Sequence, residues 1–224
     1  MNYFAHGCRF VDDAYFLAGT ALPDWLSVVN RRARVRSKLV APHGESADPR
    51  TASLARGMLQ HLHDDAWFHA TPAFYELNAQ LTAMVRSVLT PDDSLRPSFL
   101  GHILVEILLD AALIARQPEL LDRYYQALEQ VDSSAVQAAV NSMLVHPVER
   151  LDWFIGRFRD ERFLCDYADD AKLWFRLNQV MRRVQLPPLP ESLLEVLPQC
   201  RDRVSQRVDQ LLDESFGATH EIRL

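Results

Sequence analysis

Two stretches of the sequence place histidine and acidic residues four positions apart. The two triplets are His61, Asp65 and His69, and His102, Glu106 and Asp110. Residues i and i+4 of an α-helix lie on one face with their Cβ atoms about 5–6 Å apart, so both can bind one metal ion. The third member of each triplet lies about 12 Å along the helix from the first and about 80° around it. The spacing therefore predicts a pair of metal ligands in each stretch, with the third residue as an outer partner, an acid–base group or a ligand of a second ion.

The residues around the two triplets predict different environments. The segment "QHLHDDAWFH" is largely polar, which is equally typical of a solvated helix face. In "FLGHILVEILLDAAL" the triplet is embedded among leucine, isoleucine and valine, which predicts burial, and an unpaired buried carboxylate is costly. A metal ion or partners on another helix would offset that cost. Glu106 and Asp110 are also candidate general bases, on the condition that burial or a nearby charge raises the pKa.

Helices are the elements that must position these side chains. The chain has 224 residues, of which 48% are hydrophobic and only 7 are glycine. No segment alternates apolar and polar residues as a half-buried strand would. The predicted fold class is therefore all-α, with a single compact multi-helix domain over residues 1–215 and a C-terminal tail over residues 216–224.

Proline and capping residues mark the predicted helix boundaries near the triplets. A long helix should start near residues 46–48 and continue to about Ala70, and the next should begin at Pro72. The segment "TPDDSLRP" is a predicted linker, and Pro97 starts the helix that contains the second triplet. Between residues 1 and 30 we predict two short helical segments that meet at Gly19, with a stop near the Pro23–Asp24 pair.

Composition and charge exclude several classes of protein. The formal net charge is −6, which argues against general nucleic-acid binding. Three widely spaced cysteines without a CxxC motif argue against a disulfide framework and are typical of a reducing compartment. The first residues lack the basic and apolar segments of a signal peptide, and acidic residues interrupt the longest apolar run. We therefore expect a soluble, cytoplasmic protein that does not bind a membrane.

A basic run in "RRARVRSK" stands out against the acidic total. It consists of Arg31, Arg32, Arg34, Arg36 and Lys38. Such a run is usually a solvated face of a helix or loop. The alternative is a docking surface for an acidic partner, and nucleic acid is a weaker alternative because the rest of the chain is acidic.

Five short motifs follow one another along the chain. They are "MNYFAH", "GTALPDWL", "GMLQHLHDDAWFHATP", "GHILVE" and "RFRDERFLCDYADDAKLWFRLNQVMRRV". In this order they resemble the motifs of the acyl carrier protein phosphodiesterase family, over residues 1–30, 55–75, 98–112 and 157–184. The resemblance implies an all-helical fold like that of the HD-domain hydrolases. It also implies a divalent-metal-dependent phosphodiesterase that releases phosphopantetheine from its carrier protein.

The resemblance carries over to individual residues. The positions that match the polar motif of the family, and so imply metal ligands, are His6, Asp24, His61, Asp65 and His102. His69 stands where the family usually has Asp and remains a possible ligand. The implied cofactor is a divalent metal ion (Mn, Fe, Mg or Zn), and the implied partner is an acidic carrier protein or a small phosphate ester. Lys172 and Arg182 are weaker candidates for binding phosphate.

One departure from the family pattern supports a second hypothesis. Gly101 stands where the family has an acidic residue before the motif histidine. The alternative to a metal-dependent phosphohydrolase is therefore a catalytically inactive helical protein that retains the fold as a binding module or scaffold.

Overall fold

The computed structural model describes residues 1–89 and 96–212, and over this range the chain is helical without any strand. This confirms the all-α fold class. The first six residues of the predicted linker (90–95) and the predicted tail (216–224) lie outside the described residues.

Twelve α-helices follow one another in the described part of the chain, with short 3-10 turns between some of them. They are α1 (Tyr3–Gly7), α2 (Ala14–Val29), α3 (Ser37–Val40), α4 (Pro49–Phe68), α5 (Pro72–Val88), α6 (Pro97–Arg116), α7 (Pro118–Glu129), α8 (Ser133–Met143), α9 (Leu151–Glu161), α10 (Asp170–Arg183), α11 (Leu197–Ser205) and α12 (Val208–Leu211). The predicted boundaries of α4, α5 and α6 are confirmed, including the starts of α5 and α6 at proline.

The helices form two compact units. The first unit comprises residues 1–2, 67–116 and 163–212 of the described chain, and the second comprises residues 3–66 and 117–162. Both units are discontinuous in sequence, and the boundary after Ala66 falls inside α4. The single domain over residues 1–215 stays a prediction.

In the first unit, α5 and α6 pack closely against each other. Leucines spaced four residues apart on α6, such as Leu100, Leu104 and Leu108, are fully buried. The closest approach is at Gly101, where a Cβ atom would lie 2.9 Å from the backbone nitrogen of Thr82 and 3.0 Å from the carbonyl oxygen of Asn78. No side chain fits there without a shift of the two helices, so Gly101 is a packing position.

The helix α6 also has the length and apolar composition of a membrane-spanning helix. Half of its apolar window is buried inside the protein, and core helices of globular proteins meet the same two criteria.

In the second unit, the contact between α2 and α4 depends on a pair of glycines. A Cβ atom on Gly19 would lie 2.9 Å from the Cα atom of Gly57, and one on Gly57 would lie 2.8 Å from the Cα atom of Gly19. Two side-chain-free positions therefore let the two backbones touch.

The prediction of two short helices meeting at Gly19 is wrong. The helix α2 runs without interruption from Ala14 to Val29, with Pro23 in its interior. Proline costs a backbone hydrogen bond there, but the apolar side chains around it, including Trp25 and Leu26, are fully buried. Their burial offsets the cost of the proline.

Candidate metal centres

The structure groups three of the predicted ligands in the second unit, and we call this group site 1. It consists of His6 from α1 together with His61 and Asp65 from α4. One ligand atom from each residue lies within 4.8 Å of the other two. The Nε2 atom of His6 is 3.3 Å from Oδ1 of Asp65, and the Nε2 atom of His61 is 3.9 Å from Oδ2 of the same carboxylate. Two imidazoles and a carboxylate therefore converge on one point.

A backbone carbonyl sets the orientation of His61. Its Nδ1 atom lies 2.8 Å from the carbonyl oxygen of Thr20, which can only accept a hydrogen bond. The proton is therefore on Nδ1, and the lone pair on Nε2 points towards Asp65. Histidines that bind metals are usually oriented by a hydrogen bond of this kind. Thr20 follows Gly19 and His61 lies one turn beyond Gly57, so the close contact between α2 and α4 produces the hydrogen bond.

The other histidine of site 1, His6, is completely buried, with 0% of its surface exposed. Neither of its ring nitrogens makes a hydrogen bond of acceptable geometry. The ring stacks on that of His61 with centroids 4.0 Å apart, and its Nδ1 atom is 3.8 Å from a carboxylate oxygen of Asp64. Buried polar atoms nearly always have a well-formed hydrogen bond, so a cation bound between His6 and the adjacent carboxylates would satisfy a nitrogen that lacks one.

A polar network borders site 1 on the side of Asp64. The buried carboxylate of Asp64 accepts hydrogen bonds from Arg9 (3.0 Å) and from Gln60 (2.7 Å). Sequence reasoning missed these residues. Two features of the sequence could have indicated them. They are the second acid in "HDD" and the four-residue spacing of Gln60 and Asp64, which places both on one face of α4.

Burial and the nearby carboxylates shift the pKa values of the two histidines of site 1 in opposite directions. Burial opposes a charge on His6, but the adjacent carboxylates of Asp64 and Asp65 outweigh it and raise its pKa. Burial, together with the positive charge of His6, lowers the pKa of His61 to about 3. The pKa of Asp65 is lowered, because the contact with His6 outweighs burial. A divalent cation bound by His6 would therefore compete with the proton that the two carboxylates favour on its ring.

The first unit contains a second group, which we call site 2, made of His69, His102 and Glu106. The Nε2 atom of His69 is 2.8 Å from Oε1 of Glu106, and the Nε2 atom of His102 is 3.1 Å from the same oxygen. The pair His102 and Glu106 are four residues apart on α6, as the sequence predicted. His69 joins them from the short connection between α4 and α5.

The two acids predicted as general bases have different surroundings. Partial burial raises the pKa of Glu106, but the positive amino group of Met1 and the two histidines outweigh it, so the pKa is lowered. The condition for a general base is therefore not met by Glu106, which fits a ligand better. Asp110 is fully buried and accepts a hydrogen bond of 3.0 Å from the side chain of Asn2, which also donates to Tyr167. Asp110 belongs to neither site.

The remaining predicted residues lie outside both groups. Asp24 is half-buried in the interior of α2. Lys172 and Arg182 are exposed on α10, and the Nζ atom of Lys172 is 4.0 Å from a carboxylate oxygen of Asp166. Their predicted roles in binding metal or phosphate stay predictions.

Comparison with known proteins adds no relative. No protein-family model, no curated protein and no solved structure matches this chain. The resemblance to the acyl carrier protein phosphodiesterases stays a prediction from short motifs.

Proposed function

We propose that this protein is a metal-dependent phosphohydrolase in which site 1 holds a divalent cation. The observation that carries the proposal is the grouping of His6, His61 and Asp65, in which both ring nitrogens of the completely buried His6 lie 3.3–3.8 Å from carboxylate oxygens without a hydrogen bond of acceptable geometry. When bound, such a cation lowers the pKa of a coordinated water and polarises a phosphoryl oxygen.

The donor atoms of site 1 fit a divalent cation. Ligands that bind Zn²⁺ at 2.0–2.2 Å in a tetrahedron lie about 3.3 Å from each other. The separation of 3.3 Å between Nε2 of His6 and Oδ1 of Asp65 agrees with this value. The Nε2 atom of His61 lies 3.9 Å from the other carboxylate oxygen, Oδ2, so a shared ion requires the half-buried carboxylate to move. Three protein ligands leave positions free for water and substrate. The Asp65 side chain, 36% exposed, lies on the side that solvent can reach.

Each residue of the site has a separate task in this proposal. Thr20 keeps His61 in the tautomer that presents Nε2. Arg9 and Gln60 hold Asp64 beside His6, where its negative charge favours a cation. Because two of the three ligands are imidazoles, the site favours Zn²⁺, Fe²⁺ or Mn²⁺ over Mg²⁺.

The motif resemblance supports a phosphodiester as the substrate and an acidic carrier protein as the partner. The basic run fits such a partner by charge. All five of its cations are exposed, and within residues 1–89 and 96–212 none of them makes an ion pair. Opposite charge between partners accelerates association and is weakened by salt. A small phosphate ester is the alternative substrate, and it would not need this surface.

A scaffold without activity is the second candidate function, and Gly101 favours it. The acid that the family carries at this position has no room beside Thr82 and Asn78. If that acid is required for catalysis, the chain retains only the fold.

The first experiment measures metal content and hydrolysis together. Purified protein is analysed for bound metal, and hydrolysis of bis-nitrophenyl phosphate is assayed with Mn²⁺, Fe²⁺, Zn²⁺ and Mg²⁺. We expect Asp65→Asn and His61→Gln to lose the ion of site 1 and the activity, whereas His146→Ala, a change at an exposed histidine outside both sites, keeps both. Wild-type protein with no bound metal and no turnover under any of the four ions would refute the phosphohydrolase and leave the scaffold.

The second experiment tests the carrier partner. The double variant Arg31→Glu/Arg34→Glu should reduce activity on an acidic carrier protein at least tenfold at low salt, while activity on a small ester is unchanged. Arg86→Glu, at an exposed arginine of α5, is the matched control. Binding to the carrier that is indifferent to salt would contradict docking by the basic run.

A further inference from the structure

We infer that site 2 is a second metal site, formed by His69, His102 and Glu106, which binds a borderline divalent cation such as Zn²⁺, Co²⁺ or Fe²⁺. The inference concerns only the first unit and does not depend on the proposed hydrolase activity of site 1.

The geometry of the donor atoms carries the inference. The Nε2 atoms of both histidines converge on one oxygen of Glu106 at 2.8 Å and 3.1 Å. Neighbouring ligands around a tetrahedral zinc ion are about 3.3 Å apart, so these separations would have to lengthen by about 0.5 Å and 0.2 Å when an ion enters. One ligand atom from each of the three residues lies within 4.8 Å of the other two. A cation can therefore enter with small side-chain rotations and without a change of backbone.

The two imidazole rings are held parallel by their neighbours. They stack with centroids 4.8 Å apart and an interplanar angle of 21°. The ring of Phe74 meets both of them edge-on, at 4.8 Å from His69 and 5.0 Å from His102. Ligands whose orientation is fixed before binding lose little conformational entropy when the ion binds.

The backbone around His69 is equally well defined. The helix α4 ends at Phe68, and the side chain of Thr71 accepts a hydrogen bond from the backbone nitrogen of Phe74 at the start of α5. The Thr71 hydroxyl also donates to the carbonyl oxygen of Phe68. The connection that carries His69 is therefore tied at both ends.

Accessibility distinguishes this group from a purely structural polar cluster. The side chains of His102, His69 and Glu106 are 40%, 28% and 17% exposed. An ion can reach the three donors from solvent, and three protein ligands leave further coordination positions free. Two imidazoles with one carboxylate select transition metals over Mg²⁺ or Ca²⁺, which prefer oxygen ligands.

The same atoms could instead form a metal-free network in which both histidines donate Nε2–H to Glu106. The amino group of Met1, 3.4 Å from the same oxygen, would contribute to that network. The two descriptions differ in one observable, because only a metal site binds Co²⁺ with a change in its visible absorption.

The experiment is a titration of the full-length chain with Co²⁺, read by visible absorption and by metal analysis after gel filtration. We expect His102→Ala and Glu106→Gln each to bind one ion fewer per chain than the wild type. His146→Ala, at an exposed histidine outside both sites, should bind the same number as the wild type. Asp65→Asn should remove a different ion, so that its combination with His102→Ala leaves none.

The ion counts of the variants test site 2 independently of the metal proposed for site 1. If His102→Ala and Glu106→Gln bind as many ions as the wild type, site 2 is a hydrogen-bonded network and the inference is wrong, whatever Asp65→Asn does. If Asp65→Asn binds as many ions as the wild type while His102→Ala loses one, site 2 stands and the proposed metal at site 1 fails. Far-ultraviolet circular dichroism checks that each variant is folded. If His102→Ala does not fold, Glu106→Gln still tests the site, because glutamine has nearly the same side-chain volume as glutamate.

Discussion

His6 and His61 stack against each other and are both buried, yet their surroundings shift their pKa values in opposite directions. His6 faces the carboxylates of Asp64 and Asp65, whereas His61 faces a carbonyl oxygen and the positive ring of its neighbour. The carboxylates make a positive charge on His6 favourable even without solvent. A divalent cation bound by His6 would compete with this charge.

The low pKa of His61 predicts an acid-sensitive stability for the metal-free protein. The folded value of about 3 lies below the ordinary 6.5, so between these pH values the unfolded chain binds a proton that the folded chain does not. The free energy of unfolding therefore falls as the pH is lowered from 6.5 towards 3, by up to about 1.4 kcal/mol per pH unit. His6 acts in another window, since its raised pKa adds stability that is complete below 6.5 and lost as the pH rises through its folded pKa.

Urea unfolding at pH 6.5, 5.5 and 4.5 in the presence of a chelator measures this slope. We expect the slope to be smaller in His61→Gln, which has no titrating ring, and unchanged in His146→Gln at an exposed position. Equal slopes in all three proteins would contradict a neutral His61 in the folded state.

At the residue scale, spacing along one helix was sufficient to predict which histidine and acid lie side by side in each group. His61 with Asp65, and His102 with Glu106, follow from the i,i+4 rule. Thr20 could not be predicted, because a backbone carbonyl leaves no signal in residue type. Arg9 could not be predicted either, because its carboxylate partner lies 55 residues away in sequence.

At the scale of elements, the contact of Gly19 with Gly57 couples helix packing to site 1. We expect Gly57→Ala to push α2 and α4 apart, because the new Cβ would lie 2.8 Å from the Cα atom of Gly19. Overpacking of this kind costs about 1–3 kcal/mol. It also lengthens the hydrogen bond between His61 and Thr20, so metal affinity should fall together with stability.

The matched control for Gly57→Ala is Gly156→Ala on α9, where a Cβ atom would meet no other atom within 4 Å. Replacing an unencumbered helical glycine stabilises a protein by about 0.5–1 kcal/mol. Denaturant unfolding and Co²⁺ titration of both variants check the prediction. If metal affinity is unaffected in Gly57→Ala, the contact between the two glycines does not influence site 1 and the prediction is wrong.

Gly101 makes a different prediction at the contact between α5 and α6. Gly101→Ala should cost about 1–3 kcal/mol, and Gly101→Asp, which introduces the acid of the family pattern, should cost more. We expect neither variant to gain hydrolytic activity, because backbone atoms of α5 already occupy the space beside Gly101. Denaturant midpoints and the bis-nitrophenyl phosphate assay measure both effects, and a stable, more active Gly101→Asp would contradict this description.

Local signals predicted the start of α5 and α6 because proline and capping residues act within one turn. The same reasoning failed in α2, where Pro23 was expected to end a helix. The helix continues past Pro23 because the residues that follow, Trp25 and Leu26, are buried in the core. Burial of this kind depends on residues remote in sequence, and local propensity does not contain it.

For the molecule as a whole, metal binding should be visible as thermal stability. An ion at 100 times its dissociation constant adds about 2.7 kcal/mol to the free energy of unfolding. For a chain of this length that corresponds to a rise of about 5–11 °C in the melting temperature. Differential scanning calorimetry with Zn²⁺ and with a chelator measures the difference. A melting temperature that is the same in both would contradict metal binding at either site.

The assignment of ligands to the two groups required the whole fold. The sequence placed His61, Asp65 and His69 in one triplet, yet the structure groups His69 with residues of α6 and groups His61 and Asp65 with His6 of α1. Only packing between remote segments decides which of several equally spaced histidines meet.

The shortness of α1 has a further consequence. Its five residues are too few to form a stable helix alone, and their order depends on contacts such as that of Tyr3 with Phe158 at 5.0 Å. An ion shared by His6 and His61 would tether this segment across more than fifty residues of chain and suppress its local opening. The amide hydrogens of α1 should then exchange with deuterium more slowly when site 1 is loaded. Their exchange rate would report occupancy of the site directly, without a substrate and without knowledge of the reaction.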